Sequence, residues 1–160
     1  MNDPLENAGQ NLTLRASGKF LGNTWEFRGD IIGDLSHEWI SFMGPDYYAA
    51  GGGSGGPLPF ADIGWKRFGH IGSYGWWSGC LLRRWFRLIR EPGSINGVVS
   101  KDVAKVLIFF KNGISEEALM IESGHPDVQF FFLPYNPKAE WTELVALDAQ
   151  GRELDRALPW

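Results

Sequence analysis

The stretch that decides the fold is Val103 to Leu133, VAKVLIFFKNGISEEALMIESGHPDVQFFFL. It holds three apolar runs, Val103 to Phe110, Ala118 to Ile121 and Val128 to Leu133, broken by Asn112-Gly113 and by Ser123-Gly124-His125-Pro126-Asp127. Apolar runs of strand length bounded by Gly, Asn and Pro read as antiparallel strands, and such strands need a second layer to cover them. In the first run Ala104, Val106, Ile108 and Phe110 share one wholly apolar face, while Lys105 interrupts the other. The pattern predicts a central strand buried on one side and largely covered on the other. Asn112-Gly113 tolerates the positive φ of a hairpin turn. The residues after it, from Ser115, suit a returning strand or a helix capped by Ser115; their place directly behind Asn-Gly favours the strand.

Working outward, Trp141 to Leu147 alternates in part, Asp148-Ala149-Gln150-Gly151-Arg152 makes a short hairpin, and Leu154 is the last apolar anchor. Ile95 to Val99 starts a sheet region, with Asn96-Gly97 a strong turn signal and Ser100-Lys101-Asp102 another. Toward the N-terminus, Leu12, Leu14 and Ala16 alternate with polar residues as a first strand. After the Gly22-Asn23 turn, Thr24 to Ile32 sets Trp25, Phe27 and Ile31 against Glu26 and Arg28. His37 to Met43 is a third run, with Trp39 and Phe42 as expected core residues.

Residues 49–59 change character. Gly51-Gly52-Gly53-Ser54-Gly55-Gly56 has almost no side chains to bury and reads as a flexible surface loop. A phosphate-binding loop would need Lys and Ser or Thr after its glycines, where this chain has Pro57-Leu58-Pro59. In 80–90, Arg83, Arg84, Arg87 and Arg90 fall on one arc of a helical wheel, opposite Leu81, Leu82, Trp85, Phe86, Leu88 and Ile89. That periodicity favours a short amphipathic helix, with a strand as the alternative in so strand-like a chain. The expected fold is therefore all-β in the main, an antiparallel two-sheet sandwich forming a single domain over 1–160, with a possible short amphipathic helix at 80–90.

At 160 residues the chain is long enough for one core and short for two. Eight Trp and eleven Phe suit a sheet protein, whose pleated surfaces pack aromatics well. A formal net charge of -4 argues against a dedicated nucleic-acid binder, which carries a basic surface. Cys80 is the only cysteine, so no internal disulfide forms. No apolar stretch approaches the length of a membrane span, and the first ten residues are no signal peptide; cytoplasmic location is the default, with secretion after removal of a signal left open.

Sites for chemistry are sparse. His37, His70 and His125 sit at no metal-ligand spacing, so no metal or other cofactor is expected. Cys80 with a histidine and an acid is common to most proteins, and Glu116-Glu117, being adjacent, point to opposite faces of a strand. The expectation is no catalytic residue, with a small hydrolase or metal-dependent enzyme as the last alternative. Aromatics crowd 65–85 instead, and Trp65, Tyr74, Trp76, Trp77, Trp85 and Trp160 are the candidate interaction surface, because Trp and Tyr bury large area at low entropy cost.

One resemblance adds to this. Gly97-Val98-Val99, Val103-Ala104-Lys105-Val106, a strand ending near Pro134, and Ala146-Leu147-Asp148-Ala149-Gln150-Gly151-Arg152-Glu153-Leu154 together resemble an actinobacterial-type small β-sandwich domain of uncharacterised proteins, over residues 97–156. The Gly51 to Gly56 run and Cys80 occupy the places where such proteins often carry a glycine-rich loop and a later cysteine. The shared motifs are turn glycines and alternating apolar positions, so the resemblance implies a sandwich and carries over no catalytic residue. Together these readings point to a non-catalytic structural or protein-interaction module, a subunit of a larger assembly that binds a protein partner or itself. A carbohydrate-binding module using exposed tryptophans is the alternative, with a glycan as partner.

Overall fold

The structure, a computed structural model, describes residues 9, 11–45, 47–56, 67–75 and 92–159, apart from the side chains of Tyr47 and Tyr74. The predicted helix at 80–90, Cys80 and Pro57-Leu58-Pro59 lie outside the described residues. Those described form twelve strands: β1 (Leu14–Phe20), β2 (Asn23–Ile32), β3 (Leu35–Gly44), β4 (Tyr47–Gly55), β5 (Phe68–Gly75), β6 (Gly93–Ser100), β7 (Lys105–Phe110), β8 (Ser115–Glu117), β9 (Leu119–Glu122), β10 (Val128–Tyr135), β11 (Trp141–Leu147) and β12 (Glu153–Ala157). The fold is all-β.

The strands make three four-stranded antiparallel sheets where two were expected: sheet A, β1-β2-β3-β4; sheet B, β5-β6-β10-β9; and sheet C, β12-β11-β7-β8. The reason lies in β10 and β6. A strand covered on one face alternates buried and exposed, whereas Val128 to Leu133 and Gly93 to Val99 are apolar or uncharged at every position and buried throughout. Sheet B therefore needs cover on both sides. Val128, Phe130, Phe132 and Val98 pack with Trp25, Phe27, Ile40 and Phe42 of sheet A. Phe131, Leu133, Ile95 and Val99 pack with Val106, Ile108, Leu144 and Ala146 of sheet C. The layers run A, B, C.

The Val103 to Leu133 stretch supplies strands to two of these layers. β7 buries Val106, Ile108 and Phe110 and leaves Leu107 and Phe109 half-covered. Gly113, at φ +83°, turns the chain back as the Asn-Gly signal predicted. The returning segment is strand, but it divides at buried Ala118, whose N–H donates to the Val106 carbonyl (2.9 Å). β8 pairs with β7 in sheet C, and β9 pairs with β10 in sheet B.

Three further expectations are corrected. Gly51 to Gly55 is not a loop: it continues strand β4, paired with β3 from Gly44↔Tyr47 to Ser36↔Gly55 without a register shift. Its neighbour explains this, because the Trp39 indole lies across Gly52, where a Cβ would come within 2.7 Å of the ring, and glycine lets the strands close. Asn96-Gly97 is not a turn but the middle of β6. A Cβ on Gly97 would run into the His70 carbonyl oxygen of β5, so the glycine serves close strand approach rather than a positive φ. Trp39 is not in the core; Phe42 and Ile40 set the buried parity of β3, so Trp39 faces out, with its indole against Gly9.

Candidate functional site

Polar groups are buried between sheets A and B, where most of the layer is aromatic. Period-two alternation on β3 turns Ser36, Glu38, Ile40 and Phe42 toward sheet B. The register sets Gly29 of β2 and Gly53 of β4 beside Glu38, so glycines flank the carboxyl on its own sheet. From sheet B, Ser94 and Asn96 of β6 come from the same face as Val98. Ser94 Oγ donates to Asn96 Oδ1 (3.3 Å), and Asn96 Nδ2 donates to Glu38 Oε2. Ser36 Oγ donates to the Gly55 carbonyl (3.1 Å). His70 of β5 stands over Gly55, whose Cβ would lie 2.6 Å from the His70 Cβ.

Among the described residues, Glu38 Oε1 and His70 Nε2 in this seam have no hydrogen-bond partner. Glu38 is 3% exposed, and among the described residues no cation pairs with it. Burial pushes its carboxyl up to about 7, with the Asn96 amide pulling weakly the other way. Burial also lowers the His70 imidazole below its ordinary value, which favours the neutral ring. The arrangement is a hydroxyl-amide-carboxyl chain of hydrogen bonds closed over by the two sheets, and its burial favours the protonated carboxyl.

The other sequence candidates are dispersed. His37 lies on the outer face of β3, paired with Asp30 and Ser54; His70 lies between layers; His125 sits in the β9–β10 turn, its Nδ1 accepting from the Asp127 N–H (3.2 Å). Among the described residues no three His, Cys, Asp or Glu side chains gather as metal ligands. Trp65, Trp76, Trp77, Trp85 and Trp160 lie outside the described residues. Tyr74 is placed by its backbone in β5, opposite Ser94, and its side chain lies outside the description. Of the tryptophans described, Trp25 is buried, Trp39 packs against Gly9, and Trp141 Nε1 donates to Ser73 Oγ (3.3 Å).

The outer face of sheet A, which also carries Glu26, Arg28 and Asp30, holds two exposed apolar pairs that the sequence did not single out. Met43 and Tyr48 are direct cross-strand neighbours, each 57% exposed, and Ile32 and Leu35 form a second exposed pair at the far end of the β2–β3 hairpin. The parity that buries Ile40 and Phe42 exposes Met43, and this signal was available in the sequence. Glu38 was legible on the same ground. Asn96 was not, because Asn-Gly is a turn signal until a buried acid is known to face it.

Compared with known proteins, the chain matches no family model, no curated protein and no solved structure. Among the described residues no helix is long and apolar enough to cross a membrane.

Proposed function

We propose that this chain is a non-catalytic structural or protein-interaction module, working as a subunit of a larger assembly. The observation that carries the reading is the Met43–Tyr48 pair on the outer face of sheet A. Sheet B is enclosed on both faces, so among the described residues the surfaces open to a partner are the outer faces of sheets A and C and the sheet edges. Large apolar side chains paired on an outer sheet face are the type of surface that gains most from being covered by a protein.

A photo-cross-linking residue placed at position 43 tests this in the full chain. The expected outcome is a saturable cross-link to one protein species, either this chain or a single other. Labelling that rises without saturation, or is spread over many proteins, overturns the reading.

A further inference from the structure

Among the described residues six strands end the three sheets: β1 and β4, β5 and β9, β12 and β8. An edge strand presents a row of unpaired N–H and C=O groups, and proteins blunt such edges with charge, proline, bulges or shortness. Five of the six are blunted here. β1 carries Arg15, Lys19 and a register shift between Leu14 and Ala16. β5 carries a shift between Phe68 and His70. β8 has three residues, two of them Glu116 and Glu117; β9 has four and ends on Glu122; β12 carries Glu153, Asp155 and Arg156.

β4 has none of these devices. Its nine residues, YYAAGGGSG, include no charge and no proline, and its pairing with β3 is unbroken. Among the described residues, Ala49 to Gly55 hydrogen-bond to β3 alone.

We infer that β4 is a strand-addition edge whose occupant is the β4 of a second copy of this chain, paired antiparallel about a two-fold axis. This rests on the interaction reading above and names its partner. A foreign peptide added to a sheet edge is selected by pockets for its alternate side chains. β4 offers Gly51, Gly53 and Gly55 on its inner face and Ala50, Gly52 and Ser54 on its outer one, which form no pockets. What it offers is backbone that another backbone can approach closely. Self-pairing uses that backbone fully and closes at two copies. The chain carries a net charge of -4, and an edge without charged side chains is where two copies meet with least repulsion. Ala49 to Gly55 spans about 23 Å, and the joined sheet would have eight strands, within the usual range. Ordering glycine is entropically costly, so the association is reversible.

Light scattering and sedimentation across a concentration series test this on the full chain. The mass is expected to rise from 17.9 kDa toward twice that value. The double variant Ala50→Lys/Ser54→Lys gives β4 the charge that other edges carry, and should weaken self-association roughly tenfold or more while keeping the far-ultraviolet spectrum. Ser17→Lys, on β1 at the opposite edge of the same sheet, should leave association unchanged. In the unaltered protein, amide exchange in Ala49 to Gly55 should slow as concentration rises, a readout that needs no variant. A chain that stays monomeric overturns the inference and leaves the cross-linking test of the interaction reading standing. A dimer in which these amides gain no protection places the interface elsewhere and overturns the inference alone. Open-ended assembly overturns the two-fold closure.

Discussion

Sheet B meets sheet A through one face and sheet C through the other, and the two interfaces differ in chemistry. The B–C layer has an apolar centre, with Phe68, Phe131, Ile95, Val99, Ile108 and Leu144. Gln129, buried on that face, is neutral and donates to the Val103 carbonyl (2.6 Å). The A–B layer is more aromatic, with Trp25 against Phe132 at 4.7 Å and Phe27 against Phe130 at 5.4 Å, and it also encloses Glu38, which among the described residues has one partner, Asn96, and no countercharge. The B–C layer adds hydrogen bonds at its edge, Arg67 N–H to Asp155 Oδ2 (2.6 Å) and Trp141 Nε1 to Ser73 Oγ (3.3 Å), whereas the A–B layer buries a carboxyl inside it. Sheet A is also contiguous in sequence, Leu14 to Gly55, so it can respond as a unit.

The comparison breaks most readily at the paired phenylalanines of β10. Phe131→Ala opens the B–C layer and Phe132→Ala the A–B layer; each should cost about 3–5 kcal/mol in denaturant unfolding. If both truncations lower one cooperative transition equally, the layers unfold together. If Phe132→Ala splits off an early transition, sheet A leaves first.

Next in size is the proton. Glu38 has its carboxyl raised from 4.5 to about 7 in the folded chain. Between those values the unfolded chain releases a proton that the folded one keeps, so stability falls as pH rises, by about 1.4 kcal/mol per unit. The contribution is complete below about 4.5 and is lost as pH passes through about 7, which caps the effect at roughly 3 kcal/mol. His70 acts with the opposite sign: its lowered value withdraws stability as pH falls below the ordinary histidine range. Thermal unfolding of Glu38→Gln across pH should lose the decline between about 4.5 and about 7 while matching the parent below it. An unchanged profile would show that the A–B layer carries no proton-linked term.

Asn96→Ala removes the one group that hydrogen-bonds the carboxyl and should cost about 1–3 kcal/mol. It should also extend the Glu38 titration upward, readable by carboxyl infrared bands. The smallest effect belongs outside both layers. Lys111 and Glu140 pair at 2.9 Å with both side chains about 70% exposed, so Lys111→Ala should shift stability by about 0–1 kcal/mol.

Much of this organisation is legible in the chain. Trp25, Phe27 and Phe42 were expected in the core and are there, and Glu26 and Arg28 form an outward ion pair at 3.0 Å as alternation requires. The Asp148 to Arg152 hairpin follows its pattern too, Asp148 Oδ1 accepting from the N–H groups of Gln150 and Arg152 (2.9 Å each). What misled were residues whose local preference was overridden. Gly51 to Gly55 and Asn96-Gly97 are poor strand formers alone, and both are held in strands because a neighbouring group needs the space a side chain would fill. The candidate site suffered most, since its key contact joins residues 58 positions apart.

The sequence by itself determined a mainly β fold, most of the described strands, and the core-facing side of several of them, β2 and β7 among them, because period-two alternation and turn chemistry are local. The tertiary structure alone decided that there are three layers, that a glycine run is an edge strand, and that Glu38 meets Asn96. Those depend on which faces find each other, and the burial that drives them is non-directional, so no short stretch of chain encodes its partner.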